Sequence, residues 1–171
     1  MKKLIFLGHS ILSFYKKESM GDWKIINVSQ QGIIAKEGLQ MAKKSANELV
    51  ESDAVLIMFG INELYYQMKK ESIITYLTQL LVFISELNPK IRIVLSEIIQ
   101  TDETERLKPE KITWVNQELR KLSKRFQIKL LTWERVYDSN GKISDRYTID
   151  GIHLTKEGYA IFEDNLLQLL N

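Results

Sequence analysis

The chain has 171 residues, 44% of them hydrophobic and 27% charged, and its 24 Lys plus Arg against 22 Asp plus Glu leave a net charge of +2. Such a balance suits one soluble domain over residues 1–171 with a single core, and gives no electrostatic case for nucleic acid or an anionic membrane as partner. With no cysteine and only two histidines, His9 and His153, disulfides and thiolate chemistry are excluded and a multi-histidine zinc site is disfavoured.

Residues 4–7 are an apolar run that stops abruptly at Gly8-His9-Ser10. A run of this kind reads as a buried parallel strand with the serine at its carboxyl edge, where open α/β sheets place their chemistry. Lys2 and Lys3 before it resemble the start of a signal peptide, but the run is interrupted and no small-residue cleavage pattern follows. A first strand is the better reading, and the cytoplasm is the expected compartment. Residues 11–15 are short and amphipathic, and a polar turn around Glu18 to Asp22 leads to a second strand over 23–28 and a polar loop ending in Gly32. Leu39, Ala42, Ala46 and Leu49 recur at helical spacing and predict a helix over 37–50.

Residues 54–59 are the strongest strand signal, apolar on both faces, and are followed by Gly60-Ile61-Asn62-Glu63. Tyr65, Tyr66 and Met68 read as a loop before a long helix whose stripe is Ile73, Leu77, Leu80, Ile84 and Leu87, stopped by Asn88-Pro89. A fourth strand follows at 91–95, then a polar surface loop at 101–108. Pro109 suits the first turn of a helix carrying Ile112, Val115, Leu119, Leu122 and Phe126. A fifth strand is expected at 128–133, and after Asp150-Gly151-Ile152-His153 Thr155 can cap a last helix with Tyr159, Phe162, Leu166 and Leu169. Strands and helices alternate throughout, which argues a parallel sheet with helices on both faces.

In that arrangement Ser10, Gly32 and Asn62 leave the carboxyl ends of strands one, two and three and face one crevice, while Asp150 and His153 lie on the same edge. A serine hydroxyl needs a base to take its proton, and imidazole suits that task near neutral pH. His153 is the better base, because Asp150 three residues earlier can reach its Nδ1 and leave Nε2 for Ser10. His9 is the competitor, but neighbours in an extended segment point to opposite sides. The N–H groups of Ser10 and Gly32 and the Asn62 amide would serve an oxyanion. Each residue also has an ordinary reading: Ser10 or Asn62 as a helix cap, Gly32 and Asp150-Gly151 as turns, His153 as a surface residue. Their joint placement favours a catalytic site.

Gly8-His9-Ser10, Gly32, Gly60-Ile61-Asn62-Glu63 and Asp150-Gly151-Ile152-His153 resemble, in order and spacing, the four motif blocks of the SGNH hydrolase superfamily, the GDSL-type esterases and lipases. The resemblance covers nearly the whole chain. It implies a three-layer α/β/α sandwich, flavodoxin-like, with a five-stranded parallel sheet in the order 2-1-3-4-5. It further implies a serine esterase with Ser10 as nucleophile, His153 as base, Asp150 as orienting carboxylate and Ser10, Gly32 and Asn62 as oxyanion hole, with no metal or organic cofactor. Substrates of the family range over acetylated sugars, lysophospholipids, acyl thioesters and short aryl esters.

Two positions depart from the family pattern. His9 stands where Asp is usual, and Glu63 where Asp is common. A neutral imidazole accepts one hydrogen bond where a carboxylate accepts several. His9 reads best as a structural replacement, held by a hydrogen bond to Glu63; tuning of the Ser10 loop and weakened activity are the other readings. The stretch 64–68 is expected either to line an acyl pocket or to pack against the neighbouring helix. A chain of this length is expected to have no room for a separate lid domain, which favours small, soluble, short-acyl esters over triglyceride droplets. The rival reading is a non-catalytic ligand-binding module on the same scaffold, supported by His9 alone. A flavodoxin-like nucleotide or flavin binder lacks its phosphate loop.

Overall fold

A computed structural model describes residues 1–171. The chain runs β1 (Lys2–Gly8), α1 (Ser10–Ser13), β2 (Ser19–Met20), β3 (Trp23–Asn27), α2 (Ala35–Lys44), α3 (Ala46–Val50), β4 (Ala54–Met58), α4 (Ile61–Tyr65), α5 (Glu71–Leu87), β5 (Arg92–Ser96), α6 (Pro109–Phe126), β6 (Lys129–Leu131) and α7 (Lys156–Leu170). The sheet order is β2-β3-β1-β4-β5-β6. Five strands are parallel in the expected order, and the sixth corrects the expected count. The polar turn between 18 and 22 pairs Ser19 with Lys24 and Met20 with Trp23, adding β2 antiparallel at the edge. Two residues are too short a segment for periodicity to mark.

β1 and β4 occupy the middle of the sheet, which is why both are apolar on both faces. Alternate residues of β1 then enter different cores. Ile5 and Leu7 pack with Leu39 of α2, Leu77 and Leu81 of α5 and Val115 and Leu119 of α6. Leu4 and Phe6 pack on the other face with Leu12 of α1 and Phe162 and Leu166 of α7. Phe162 is fully buried and stacks on Trp133 with 6.0 Å between ring centroids and 12° between planes. Burial of such a ring contributes about 3 kcal/mol, so α7 is fastened beneath the loop that precedes it.

Several boundaries differ from the sequence reading. The helix expected at 37–50 begins at Ala35 and is broken at Ser45. Tyr65 belongs to α4 and not to a loop. Thr101 and Leu107 of the 101–108 loop are buried. The buried stripe of α7 ends on Leu170, with Leu169 half-buried beside it. No helix is long and apolar enough to cross a membrane.

Candidate active site

Parallel strands bring the loops after β1, β3 and β4 to one edge, and the long segment after β6 returns to it. Ser10, Gly32, Asn62, Asp150 and His153 line one cleft there, of about 420 Å³, together with Tyr65, Tyr66 and Ile152. A larger groove of about 520 Å³ lies where β5 and β6 begin, lined by no histidine, aspartate or glutamate that could activate a hydroxyl.

Ser10 is the first residue of α1, and the residue that caps this helix is His9, not Ser10. His9 Nδ1 accepts from the Ile11 N–H at 3.4 Å, so the ring proton sits on Nε2. This division of labour leaves the Ser10 hydroxyl available, and its Oγ lies 2.9 Å from His153 Nε2. His153 Nδ1 lies 2.5 Å from Asp150 Oδ2. The other carboxylate oxygen, Oδ1, accepts from the N–H groups of His153 at 2.8 Å and Ile152 at 3.0 Å. Burial works against the charge on Asp150, but the hydrogen bonds from His153 and Ile152 outweigh it and hold the carboxyl below its ordinary range. A relay of hydroxyl, imidazole and carboxylate is therefore assembled across 143 residues of sequence.

The surroundings hold each member in place. Thr148 Oγ1 donates to the His153 carbonyl at 2.9 Å and accepts from the Gly151 N–H at 2.8 Å, closing the Asp150 loop from below. Phe14 lies against the His153 ring with 5.3 Å between centroids. Tyr159 Oη on α7 donates to the Ile11 carbonyl at 2.7 Å and pins α1.

Three residues with N–H groups to spare border the same cleft. The Ser10 N–H begins a helix and lies outside its ladder. Gly32 has a φ of +79°, which an L side chain resists, and its N–H donates to no protein group. Asn62 Nδ2 donates to the Ile33 carbonyl at 2.9 Å, which fixes the amide and leaves its second N–H for the cleft. Tyr66 Oη donates to the Gly32 carbonyl at 3.2 Å and braces the same peptide from outside. No local pattern marked Tyr66, Thr148 or Phe14 for these tasks, since each acts across loops that leave different strands.

His9 and Glu63 do not meet as expected. Glu63 Oε1 instead accepts from the Ala35 N–H at 2.6 Å, capping α2, and burial raises its carboxyl above the ordinary range. His9 is 4% exposed, and burial, with the nearby His153 adding to it, pushes its imidazole down to about 3. It is neutral at every physiological pH and acts as the cap that an acidic residue would otherwise provide. Of the expected lining stretch, Tyr65 and Tyr66 do line the cleft, while Leu64 is buried in the core and Met68 lies outside.

The model of the GDSL-like Lipase/Acylhydrolase family matches residues 20–161. An N-acylneuraminate cytidylyltransferase of Escherichia coli O18:K1:H7 is 25% identical over 173 aligned positions, covering 98% of this chain and 40% of that protein. The chain thus spans about two fifths of the length of the curated relative it matches. Among solved structures, a Streptococcus pneumonia protein named for platelet activating factor has a TM-score of 0.87 at 20% identity, over 99% of this chain and 84% of that one. A GDSL-like lipase of Bacteroides thetaiotaomicron has a TM-score of 0.82 at 20% identity, over 98% of this chain and 86% of that one. At these identities the structures speak to the fold, and the family match speaks to descent: the chain belongs to the GDSL-like lipase/acylhydrolase family.

Proposed function

We propose that this protein is a serine esterase that removes short acyl groups from small esters through an acyl-enzyme on Ser10. The observation that carries the reading is the 2.9 Å contact between Ser10 Oγ and His153 Nε2, continued at 2.5 Å to Asp150. His153 takes the hydroxyl proton as Oγ attacks the carbonyl carbon, and Asp150 stabilises the imidazolium. The N–H groups of Ser10 and Gly32 and the free N–H of Asn62 meet the oxyanion. His153 then protonates the leaving alkoxide, and the acyl group stays on Oγ until water, activated by the same imidazole, releases it. Every step uses protein groups and water, so the proposed reaction calls on no cofactor.

Short acyl groups fit an open cleft whose apolar wall is limited to Ile61, Tyr65, Tyr66 and Ile152. The name of the E. coli relative carries N-acylneuraminate, a hydroxyl-rich sugar acid. O-acetylated sugars, sugar acids included, are accordingly the substrate class we favour.

The test compares hydrolysis of p-nitrophenyl acetate and butyrate by the wild type, Ser10→Ala, His153→Ala and His9→Asp. Loss of activity by about 10³-fold or more in the first two variants is expected, with longer acyl chains cleaved more slowly. A wild type no faster than Ser10→Ala, with His9→Asp gaining activity, would instead make the natural protein a ligand-binding module.

A further inference from the structure

The stretch 101–108, between β5 and α6, carries three acidic residues, Asp102, Glu103 and Glu105, and two basic ones, Arg106 and Lys108. Its charges are mostly spoken for. Asp102 pairs with Lys142, and Glu103 with Lys108 at 2.9 Å. Glu105 adds its field to the same lysine. Arg106 makes no ion pair, although acidic side chains lie within its own loop. Its guanidinium sits instead over the ring of Tyr65, 5.0 Å from the centroid, and the side chain is exposed.

Tyr65 is a wall of the cleft that holds Ser10, Gly32 and Asn62, and it meets Tyr66 edge-on at 5.9 Å. The aromatic pair is a platform that places an unpaired cation one ring away from the cleft. No lysine or arginine lines the cleft itself, and its acidic member, Asp150, is committed to His153. A guanidinium seated over a ring and bonded to no protein acceptor keeps its paired N–H groups free, and these match the two oxygens of a carboxylate. We infer that Arg106 selects substrates whose alcohol portion carries a carboxylate. The inference rests on the esterase reading of the same cleft, which takes the acyl group to be short and so leaves the alcohol portion to carry the charge.

A matched pair of acetyl esters tests it: 4-acetoxybenzoate, which carries a carboxylate, and methyl 4-acetoxybenzoate, which does not. The ratio of their kcat/KM values is measured for the wild type, Arg106→Gln, Arg106→Lys and Lys111→Gln, the last removing one exposed positive charge from the first turn of α6. Arg106→Gln is expected to lower the anion-to-neutral ratio by about tenfold, through the KM of the anion, and Arg106→Lys to recover part of it. Lys111→Gln leaves the ratio where it was, and added salt shrinks the wild-type preference. The dissociation constant of the product 4-hydroxybenzoate, set against that of its methyl ester, is measured in parallel on wild type and Arg106→Gln and should weaken by a similar factor.

Equal ratios and equal dissociation constants in wild type and Arg106→Gln would overturn the inference while leaving the esterase intact. Should Ser10→Ala cleave both esters as fast as wild type, the esterase reading fails, and the product-binding comparison still decides whether Arg106 holds an anion.

Discussion

The two halves of the Ser10–His153 contact are held by different physics. Ser10 is 6% exposed and sits at the end of the central strand, where Gly8, Met58 and Leu12 meet. His153 and Asp150 stand at the surface on a loop whose own hydrogen bonds, through Thr148 and the Asp150 carboxylate, shape it. Ser10 is thus positioned by packing, and His153 by a few polar contacts. Packing defects spread through a core, whereas a lost loop contact stays local. The candidate catalytic contact therefore has one half whose disturbance costs stability first and one half whose disturbance costs activity first.

The largest effect is expected on the packed side. A Cβ at Gly8 would lie 2.7 Å from the Met58 carbonyl oxygen and 2.9 Å from Leu12 Cδ1. The carbonyl belongs to the neighbouring strand and cannot swing aside, so β1 and β4 must move apart. Gly8→Ala should destabilise the protein by about 3 kcal/mol, read by urea unfolding, with activity falling in step with the folded fraction. A variant of wild-type stability would show that the strands tolerate the methyl group and that this half is less tightly set than argued.

His9 gives the next largest effect, and it depends on pH. Its imidazole is pushed down to about 3 in the folded protein, against an ordinary value of 6.5. Between those values the unfolded chain binds a proton that the folded one refuses, so stability is lost as pH falls through this window. The slope is at most about 1.4 kcal/mol per pH unit. His9→Asn keeps an acceptor for the Ile11 N–H but cannot titrate. Relative to wild type it should gain about 2 kcal/mol between pH 7.5 and pH 5, measured by urea unfolding at both values. Parallel pH dependence in the two proteins would mean that His9 is not buried in its neutral form.

The packed half was also the more legible in the sequence. The apolar runs at β1 and β4 and the stripes of α5 and α6 follow from periodicity alone, because each residue there answers to the core. Gly8-His9-Ser10 and Asp150 to His153 were recognisable because their chemistry and spacing lie close together along the chain. What stayed hidden depends on partners brought in from elsewhere. Glu63 turns to Ala35 instead of His9, Tyr66 reaches the Gly32 carbonyl, and Arg106 settles on Tyr65. The division of roles between His9 and Ser10 was hidden for a related reason. Serine is the commoner cap, and only the fold shows that the imidazole takes the cap and leaves the hydroxyl for the cleft.

The smallest effect is expected on the polar side, at Thr148. Thr148→Val keeps the shape of the side chain but removes the bond to the His153 carbonyl and the acceptor for the Gly151 N–H. The Ile149 N–H still donates to the same carbonyl at 2.9 Å, so the loop retains its overall course. The imidazole loses only the fine placement that keeps Nε2 against Ser10. We expect kcat toward p-nitrophenyl acetate to fall about tenfold, with KM nearly constant and stability reduced by about 1 kcal/mol. A fall in stability as large as that of Gly8→Ala, with kcat per folded molecule unchanged, would place Thr148 on the packed side and erase the distinction. Unchanged kcat with unchanged stability would mean that the Asp150 carboxylate, through its bonds to the Ile152 and His153 N–H groups, sets the imidazole by itself.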